Sequence, residues 1–141
     1  MPHLLGAIGR GQIERFKKYI LPKKIKLGKI YRKVFVHPQI KFSQKLIKGY
    51  KPVYWLNSIY FKNFNTKKVR NIGNYLLKKG IEIRPGFWPM NELKNFSSIY
   101  VKESNISKEI FNKSIVLPSA YNLSEKDVKR IFAVIKNYLN K

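Results

Sequence analysis

The stretch from Gly80 to Glu92, which reads GIEIRPGFWPMNE, holds the side chains of this sequence that are best suited to bind a ligand. Arg84 follows a short β-branched run, and Pro85 forces it into an extended conformation that fixes its exit direction. A guanidinium held in this way can clamp a carboxylate or a diphosphate with two parallel hydrogen bonds. The alternative is a structural ion pair or a cap on a backbone carbonyl.

The aromatic and amide residues that follow Arg84 also admit two interpretations. Phe87 and Trp88 can stack on a sugar or a base, although aromatic residues in a Pro-Gly turn more often cover the surface of their own domain. Asn91 can donate and accept hydrogen bonds to a ligand hydroxyl, or it can close a turn. The residues alone leave these alternatives open.

No self-contained catalytic site is predicted elsewhere in the chain. The two histidines, His3 and His37, lie far apart and have no carboxylate at ligand spacing, which argues against a metal site. The few acidic residues fall mostly on predicted helix surfaces or caps, so a pair of catalytic carboxylates is not expected. Ser119 lacks the glycine context of a hydrolase nucleophile, and there is no cysteine to supply a thiolate. We expect no catalytic residue and no metal ligand.

The charge of the chain is strongly basic and uneven. Its net charge is +23, and residues 1–80 contain 20 Lys or Arg against a single acidic residue, Glu14. Such asymmetry raises nucleic-acid binding as one interpretation. However, 24 of the 30 basic residues are lysine, whereas base and phosphate recognition favours arginine. A solvated lysine surface, or a face that meets an acidic partner, remains as an alternative.

Length and composition indicate one globular domain. A chain of 141 residues with 44% hydrophobic residues can bury a core. No apolar run approaches the 18 or so residues that would span a bilayer, so no membrane association is expected. The first residues lack the basic segment that precedes the apolar part of a signal peptide. We therefore expect a cytoplasmic protein.

The first 52 residues are predicted to be mainly helical. Leu5, Ile8, Phe16 and Ile20 form an apolar stripe within a helix over residues 1–20. Leu21-Pro22 should break or kink this helix and start a second one over residues 22–35. That second helix is expected to bury Ile25, Ile30, Val34 and Phe35 and to leave Lys23, Lys24, Lys29 and Lys33 in solvent. Residues 37–52 have the least regular pattern.

The rest of the chain alternates strands and helices. Residues 53–61 predict a strand, Asn65-Thr66 predicts the start of a helix, and Gly80 predicts its end. Further strands are expected at 81–83 and 114–117, a strand or turn at 98–101, and a short helix at 107–112. Ser124 and Asp127 resemble a capping box before a final helix. The predicted fold is α+β: N-terminal helices lead into a small, mostly antiparallel sheet with helices packed on one face. Residues 1–35 form the helical segment and 36–141 the small domain.

Three segments in this order resemble one known family. The opening MPHLLGAIGRGQIERF, followed by KKIKLGKIY, is similar to the helix after the cofactor region in DegT/DnrJ/EryC1/StrS sugar-nucleotide aminotransferases. The central GIEIRPGFWPMNEL resembles the family loop GI-x-x-RP-x-F-x-P-x-H. The terminal IVLPSAYNLSEKDVKRI resembles LP-x-x-x-x-L-x-x-x-D-x-x-x-I. The match spans nearly the whole chain, and the last two motifs are fairly specific when they occur together.

The resemblance implies the C-terminal part of a pyridoxal-phosphate enzyme with the aspartate aminotransferase fold. Family members are homodimers that transfer an amino group, usually from glutamate, to a keto sugar attached to a nucleotide. The cofactor lysine and most phosphate ligands lie upstream in that family and have no counterpart here. The resemblance thus predicts a chain that binds no pyridoxal phosphate and is inactive by itself.

Carried over by position, Arg84, Trp88 and Asn91 fall where the family loop faces the substrate. Three departures affect substrate handling: Asn91 replaces the usual histidine, Gly86 lies inside the loop, and Pro22 interrupts a helix that normally continues. The competing hypothesis, a basic nucleic-acid-binding domain, predicts binding that weakens steeply with salt. Absence of a retained complex at about 50 mM salt would exclude it.

Overall fold

A computed structural model describes residues 3–42, 47–96 and 105–140. The helices and strands, numbered along the chain, are α1 (His3–Arg15), α2 (Leu21–Val34), β1 (Ile40–Phe42), β2 (Asn57–Phe61), α3 (Thr66–Lys78), β3 (Arg84–Pro85), α4 (Asn105–Lys113), β4 (Ser114–Leu117) and α5 (Glu125–Leu139). A π-helical turn, Phe16–Ile20, joins α1 to α2, and two 3₁₀ turns, Met90–Glu92 and Lys94–Phe96, follow β3. No helix in these ranges is long and apolar enough to cross a membrane.

The four strands form one antiparallel sheet in the order β1-β2-β4-β3. Ile59 of β2 pairs with Ile115 of β4, and Asn57 pairs with Leu117 at the other end of the same ladder. Alternation along β2 buries Asn57, Ile59 and Phe61, as expected for a strand with one face on a core. The predicted α+β class, with helices leading into a small antiparallel sheet, is confirmed.

The core lies between one face of the sheet and three helices, α2, α3 and α5. It consists of buried aromatic and branched aliphatic side chains, among which Tyr31, Ile59, Phe61, Ile72, Leu76, Val128 and Ile135 are fully enclosed. Each helix supplies residues at helical spacing, so one stripe of each helix is removed from water. Helix α1 has no buried residue, and its Leu4, Leu5 and Ile8 are exposed.

A second helix begins at Leu21-Pro22 with the proline in its first turn, as predicted, but the backbone stays helical across this point, so the expected break does not occur. The helix continues through the proline because the preceding turn is π-helical: the Leu21 N–H donates to the Phe16 carbonyl, five residues back. Pro22 then lies in the first turn of α2, where a missing N–H is tolerated. Pro22 was expected to interrupt a helix that normally continues in the family. The π-helical turn before it allows the helix to continue.

The buried face of α2 differs from the predicted one at several positions. Leu27, Gly28 and Tyr31 are buried, whereas Ile25, Ile30 and Val34 are only partly buried. Phe35 is buried as expected. The prediction followed other apolar residues of the helix and gave no weight to Leu27, Gly28 or Tyr31, which are the buried residues of α2.

The predicted N-caps Asn65 and Ser124 and the predicted helix end at Gly80 are confirmed. Asn65 Oδ1 accepts the Lys68 N–H at 2.9 Å at the start of α3. At its end Gly80 adopts φ +70, a left-handed conformation that glycine adopts without steric cost. Ser124 Oγ accepts the Asp127 N–H at 3.2 Å, and Asp127 Oδ2 accepts the Ser124 N–H at 2.9 Å. These two bonds are the reciprocal pair of a capping box.

The prediction of a strand at 81–83 is wrong, because the backbone N–H of Ile81 is hydrogen-bonded to the end of α3. The Ile81 N–H donates to the Leu76 carbonyl and the Gly80 N–H to the Leu77 carbonyl, which is the Schellman arrangement. Pairing starts three residues later, where Arg84 lies opposite Val116 of β4. Arg84 therefore belongs to the edge strand itself and does not merely follow it.

The remaining elements agree with the prediction to different degrees. The strand at 114–117 is confirmed as β4, and the short helix at 107–112 is present as the longer α4. The strand predicted for 53–61 begins only at Asn57, because Tyr54 adopts φ 52. β1 lies within 37–52, where no element was predicted. Residues 98–101 lie outside the described ranges.

At Gly28 the backbone of α2 lies directly against the segment before β2. A Cβ at Gly28 would overlap the ring of Tyr54, which is itself buried. The glycine therefore lets a helix backbone lie directly on an aromatic ring. The contact brings together a buried glycine and a residue in the left-handed conformation, Tyr54.

We expect Gly28→Ala to destabilise the protein by about 1–3 kcal/mol, the usual cost of overpacking. Gly11→Ala is the matched control, because it is also a helical position but has no atom within 4 Å of the added Cβ. There alanine should stabilise the helix by up to about 1 kcal/mol. Urea unfolding followed by circular dichroism measures both. Equal effects of the two substitutions would contradict the close-contact explanation.

Candidate functional site

A surface cavity of about 760 Å³ lies where the edge of the sheet meets the end of α3 and the start of α5. Its walls come from β3, β4, the Trp55-Leu56 segment and the loop after β4. The lining includes Trp55, Glu82, Arg84, Phe87, Val116, Ser119, Asp127 and Arg130. The volume is within the range of small-molecule sites, and the cavity combines two guanidinium groups with two exposed aromatic rings.

Arg84 is placed on this cavity by β-sheet pairing. Its backbone pairs with Val116 of the buried strand β4, while its side chain is exposed. Within the described ranges Arg84 forms no ion pair or hydrogen bond. The carbonyl-capping role that was the alternative for Arg84 belongs to Arg130, whose Nη2 donates to the Lys79 carbonyl at 2.9 Å. The guanidinium of Arg84 is thus available to an anionic ligand.

The carboxylates of the cavity do not neutralise Arg84. Asp127 accepts hydrogen bonds from Ser124, and these bonds lower its pKa below the usual value. The Asp127 carboxylate therefore interacts with the N-cap residue of α5, Ser124. Glu82 also lines the cavity, and its carboxylate forms no ion pair in the part of the chain that the structure describes.

The two aromatic residues of the loop separate in space. Phe87 lies against Trp55 with a ring-centroid distance of 6.3 Å, and both rings line the cavity. Trp88 packs instead on Phe111 of α4, with a centroid distance of 4.6 Å. Successive residues of an extended segment point to opposite sides, so only one ring of the pair can face Arg84.

Of the three residues predicted to contact substrate, only Arg84 lines this cavity. Trp88 is about half exposed on the α4 side, and Asn91 is half-buried in the 3₁₀ turn Met90–Glu92. Phe87 and Trp55 are instead the aromatic neighbours of Arg84. Trp55 lies about 30 residues away in sequence, so the loop motif could not have indicated it.

The rim of the cavity is held by side chains of α2. Lys24 Nζ donates to the Ser119 carbonyl at 2.6 Å and to the Trp55 carbonyl at 3.1 Å. Tyr31 donates its hydroxyl to the Pro118 carbonyl at 2.7 Å. Burial lowers the pKa of Lys24 below its ordinary value. The expectation that Lys24 is a solvated surface residue is wrong, since it joins two loops across the end of the sheet.

Ser119 connects the same rim to β2. Its hydroxyl accepts the backbone N–H of Asn57 at 3.0 Å and donates to the Leu117 carbonyl at 2.9 Å. Asn57, which is 3% exposed, also brings its amide nitrogen to 3.3 Å from Ser119 Oγ. A buried amide needs partners. An asparagine at a core-facing strand position was the signal in the sequence that could have identified Ser119.

The sequence model of the DegT/DnrJ/EryC1/StrS aminotransferase family matches residues 1–136. The chain belongs to this family. Two curated relatives are GDP-perosamine synthases, from Vibrio cholerae (31% identical, covering 99% of this chain) and from Escherichia coli O157:H7 (29% identical, covering 98%). The chain spans 38% and 36% of the length of these two relatives, so it corresponds to little more than a third of a family member.

Solved structures show the same fold. A putative sugar aminotransferase, Spr1654 from Streptococcus pneumoniae in its PLP form, superimposes with a TM-score of 0.86 at 18% identity, over 99% of this chain and 36% of that one. PseC from Helicobacter pylori, an aminotransferase involved in pseudoaminic acid biosynthesis, has a TM-score of 0.81 at 20% identity, over 96% of this chain and 37% of that one. The arrangement of α1 to α5 is therefore that of an aminotransferase segment.

The cavity around Arg84 does not meet the needs of pyridoxal phosphate by itself. A covalent anchor for this cofactor is a lysine amine, and the cavity lining contains no lysine. Lys24, at the rim, donates to two backbone carbonyls. Asp127, the carboxylate that would pair with a pyridine nitrogen, is engaged by Ser124. These residues therefore do not form a pyridoxal-phosphate site by themselves.

We expect Tyr31→Phe to destabilise the protein by about 1–3 kcal/mol at pH 7, because the Pro118 carbonyl loses its donor. Burial raises the pKa of Tyr31 above its ordinary value of 10. The folded state therefore holds the phenol proton more tightly, and the stability that it contributes is present below about pH 10 and lost at higher pH. Denaturant unfolding at pH 7 and near pH 10.5 measures this dependence.

The stability difference between Tyr31→Phe and the parent protein should therefore shrink as the pH rises past the ordinary pKa of tyrosine. Tyr50→Phe is the matched control, since Tyr50 is 76% exposed. It should change the free energy of unfolding by less than about 0.5 kcal/mol. A difference for Tyr31→Phe that stays constant with pH would show that the phenol proton is not linked to folding.

Proposed function

We propose that this chain is the C-terminal part of a pyridoxal-phosphate-dependent aminotransferase that acts on a nucleotide-linked keto sugar. The observation that carries the proposal is the family match over residues 1–136, in a chain that spans little more than a third of its relatives. The GDP-perosamine synthases among these relatives favour a GDP-linked sugar and a role in cell-surface polysaccharide biosynthesis. The protein would act in the cytoplasm.

Arg84 is the residue that we propose as the main substrate contact of this chain. Its unpaired guanidinium on a cavity with two exposed rings suits the diphosphate of a nucleotide sugar, which accepts a bidentate hydrogen bond. Trp88 and Asn91 are proposed as further contacts, by their positions in the family loop. Because they lie toward α4 and not on the Arg84 cavity, they would meet a different part of the substrate.

The remainder of the enzyme would supply the chemistry. Pyridoxal phosphate, held elsewhere by a lysine, withdraws electrons from the carbon that gains or loses the amino group. Residues 1–35 would connect to that large domain, and the exposed apolar residues of α1 (Leu4, Leu5, Ile8 and Ile13) would be covered by it. Residues 36–141 would form the small domain. The whole enzyme would work as a homodimer and take its amino group from glutamate.

A cofactor titration tests the proposal that the catalytic lysine is not in this chain. Addition of pyridoxal phosphate to the purified 141-residue protein should produce no aldimine absorbance band. The coding DNA upstream of Met1 should contain the large-domain sequence, in or out of frame. A stoichiometric, borohydride-trapped lysine adduct on this chain would contradict the proposal, and so would an upstream region without any large-domain sequence.

Arg84→Gln tests the proposed diphosphate contact in the enzyme that contains this chain. Loss of one charge-assisted hydrogen-bonding group, worth about 1.5–3 kcal/mol, should raise KM for the nucleotide sugar about tenfold or more. The value of kcat should change little, because the diphosphate is remote from the reacting carbon. Lys78→Gln is the control, since Lys78 is an exposed cation of α3 outside the cavity. Equal KM values for the two variants would exclude Arg84 as a substrate contact.

A further inference from the structure

A second cavity, of about 370 Å³, lies on the other side of β3 between α3 and α4. Pro85 borders both cavities, so the edge strand is the wall between them. The interior of this second cavity is mainly apolar, with Val69, Leu77, Ile83 and Phe111 among its lining residues. The proposed substrate contacts Arg84, Trp88 and Asn91 do not line it, and of the family loop only Ile83 and Pro85 do. Its volume is at the lower end of the range for small-molecule sites.

The polar side chains of this cavity can all donate hydrogen bonds, and they belong to Thr66, Arg70, Asn74, Asn112 and Ser114. Ser114 is 4% exposed, and its Oγ has no hydrogen-bond partner in the described part of the chain. A buried hydroxyl without a partner is costly and calls for an explanation. Arg70 lines the same cavity and forms no ion pair within the described ranges. No carboxylate is among the lining residues, so the cavity presents positive charge that its own walls do not balance.

Gly73 of α3 leaves part of the cavity open. A Cβ at Gly73 would point toward Ile83, 3.4 Å from its Cδ1, and Gly73 is a lining residue. A side chain larger than alanine at Gly73 would occupy the space between α3 and α4. The interior of a helix is a costly place for a glycine, and at this position the glycine keeps such a side chain out of the cavity.

We propose that this cavity binds a small organic acid, with an apolar or aromatic body between α3 and α4 and a carboxylate held by Arg70. The buried Ser114 hydroxyl donates to a polar atom at the inner end of the ligand. This assignment follows from the apolar walls, the unbalanced guanidinium and the hydroxyl without a partner. It does not depend on the aminotransferase proposal, because the site lies outside the Arg84 cavity and uses none of its polar groups.

Benzoate and toluene are suitable probes, since they share an aromatic ring and differ in the carboxylate. The 15N-labelled protein is titrated with benzoate up to about 10 mM, well above the millimolar Kd expected for ligands of this size, and with toluene up to its solubility limit in water. Benzoate should give saturable amide shifts centred on Gly73, Asn112 and Ser114. Arg70→Gln should weaken benzoate about tenfold, as expected for loss of a charge-assisted hydrogen bond, and should leave toluene unchanged.

Gly73→Met is the variant that fills the cavity, and Gly73→Ala is its matched control. The alanine Cβ makes only an ordinary contact with Ile83, so this variant should retain benzoate, whereas the methionine should abolish binding. Circular dichroism confirms that both are folded, and both replacements favour a helix. Undetectable shifts, or shifts that persist in Gly73→Met or centre on Arg84, would overturn the site. Equal benzoate affinity in Arg70→Gln would overturn the assignment of an acid.

Discussion

The pairing of β4 with a neighbour on each side is the constraint on which the rest of this structure depends. All four residues of β4 are buried. Ile115 and Leu117 reach the helix-covered core, while Val116 lines the Arg84 cavity. Because β3 is only two residues long, its position is set by this ladder. The location of Arg84 is therefore a consequence of burying β4.

Hydrogen bonds at the end of β4 are the second constraint on the structure. The carbonyls of Pro118 and Ser119 accept hydrogen bonds from Tyr31 and Lys24 of α2, and the Ser119 hydroxyl is tied to Asn57. These bonds join a helix, a strand and a loop at the rim of one cavity. Buried networks of this kind fix geometry when every member is satisfied. The rim is therefore held by hydrogen bonds within this chain.

The sequence predicted a structural feature correctly where that feature depends on residues close together in the chain. Asn65, Gly80 and the Ser124–Asp127 pair identified helix ends correctly, since capping involves residues only a few positions apart. Apolar residues at helical spacing are buried in both helices, at Val69, Ile72 and Leu76 of α3 and at Val128, Ile131 and Ile135 of α5, whereas Leu77 is exposed. The errors occurred where distant residues decide. Lys24 was assigned to solvent because its partners lie 31 and 95 residues away. The strand β1 was missed because it is defined by its pairing with β2 and not by a pattern of its own.

By itself the sequence determined the α+β class, the family and the presence of Arg84 in an extended segment before a proline. All of these follow from residue types and short spacings, which the chain carries in any conformation. Only the tertiary structure decided that Trp55 and Phe87 flank Arg84 while Trp88 turns away, and that an arginine and a buried serine share a second cavity. Such proximities arise from sheet register and helix packing, and no short segment of the sequence encodes them.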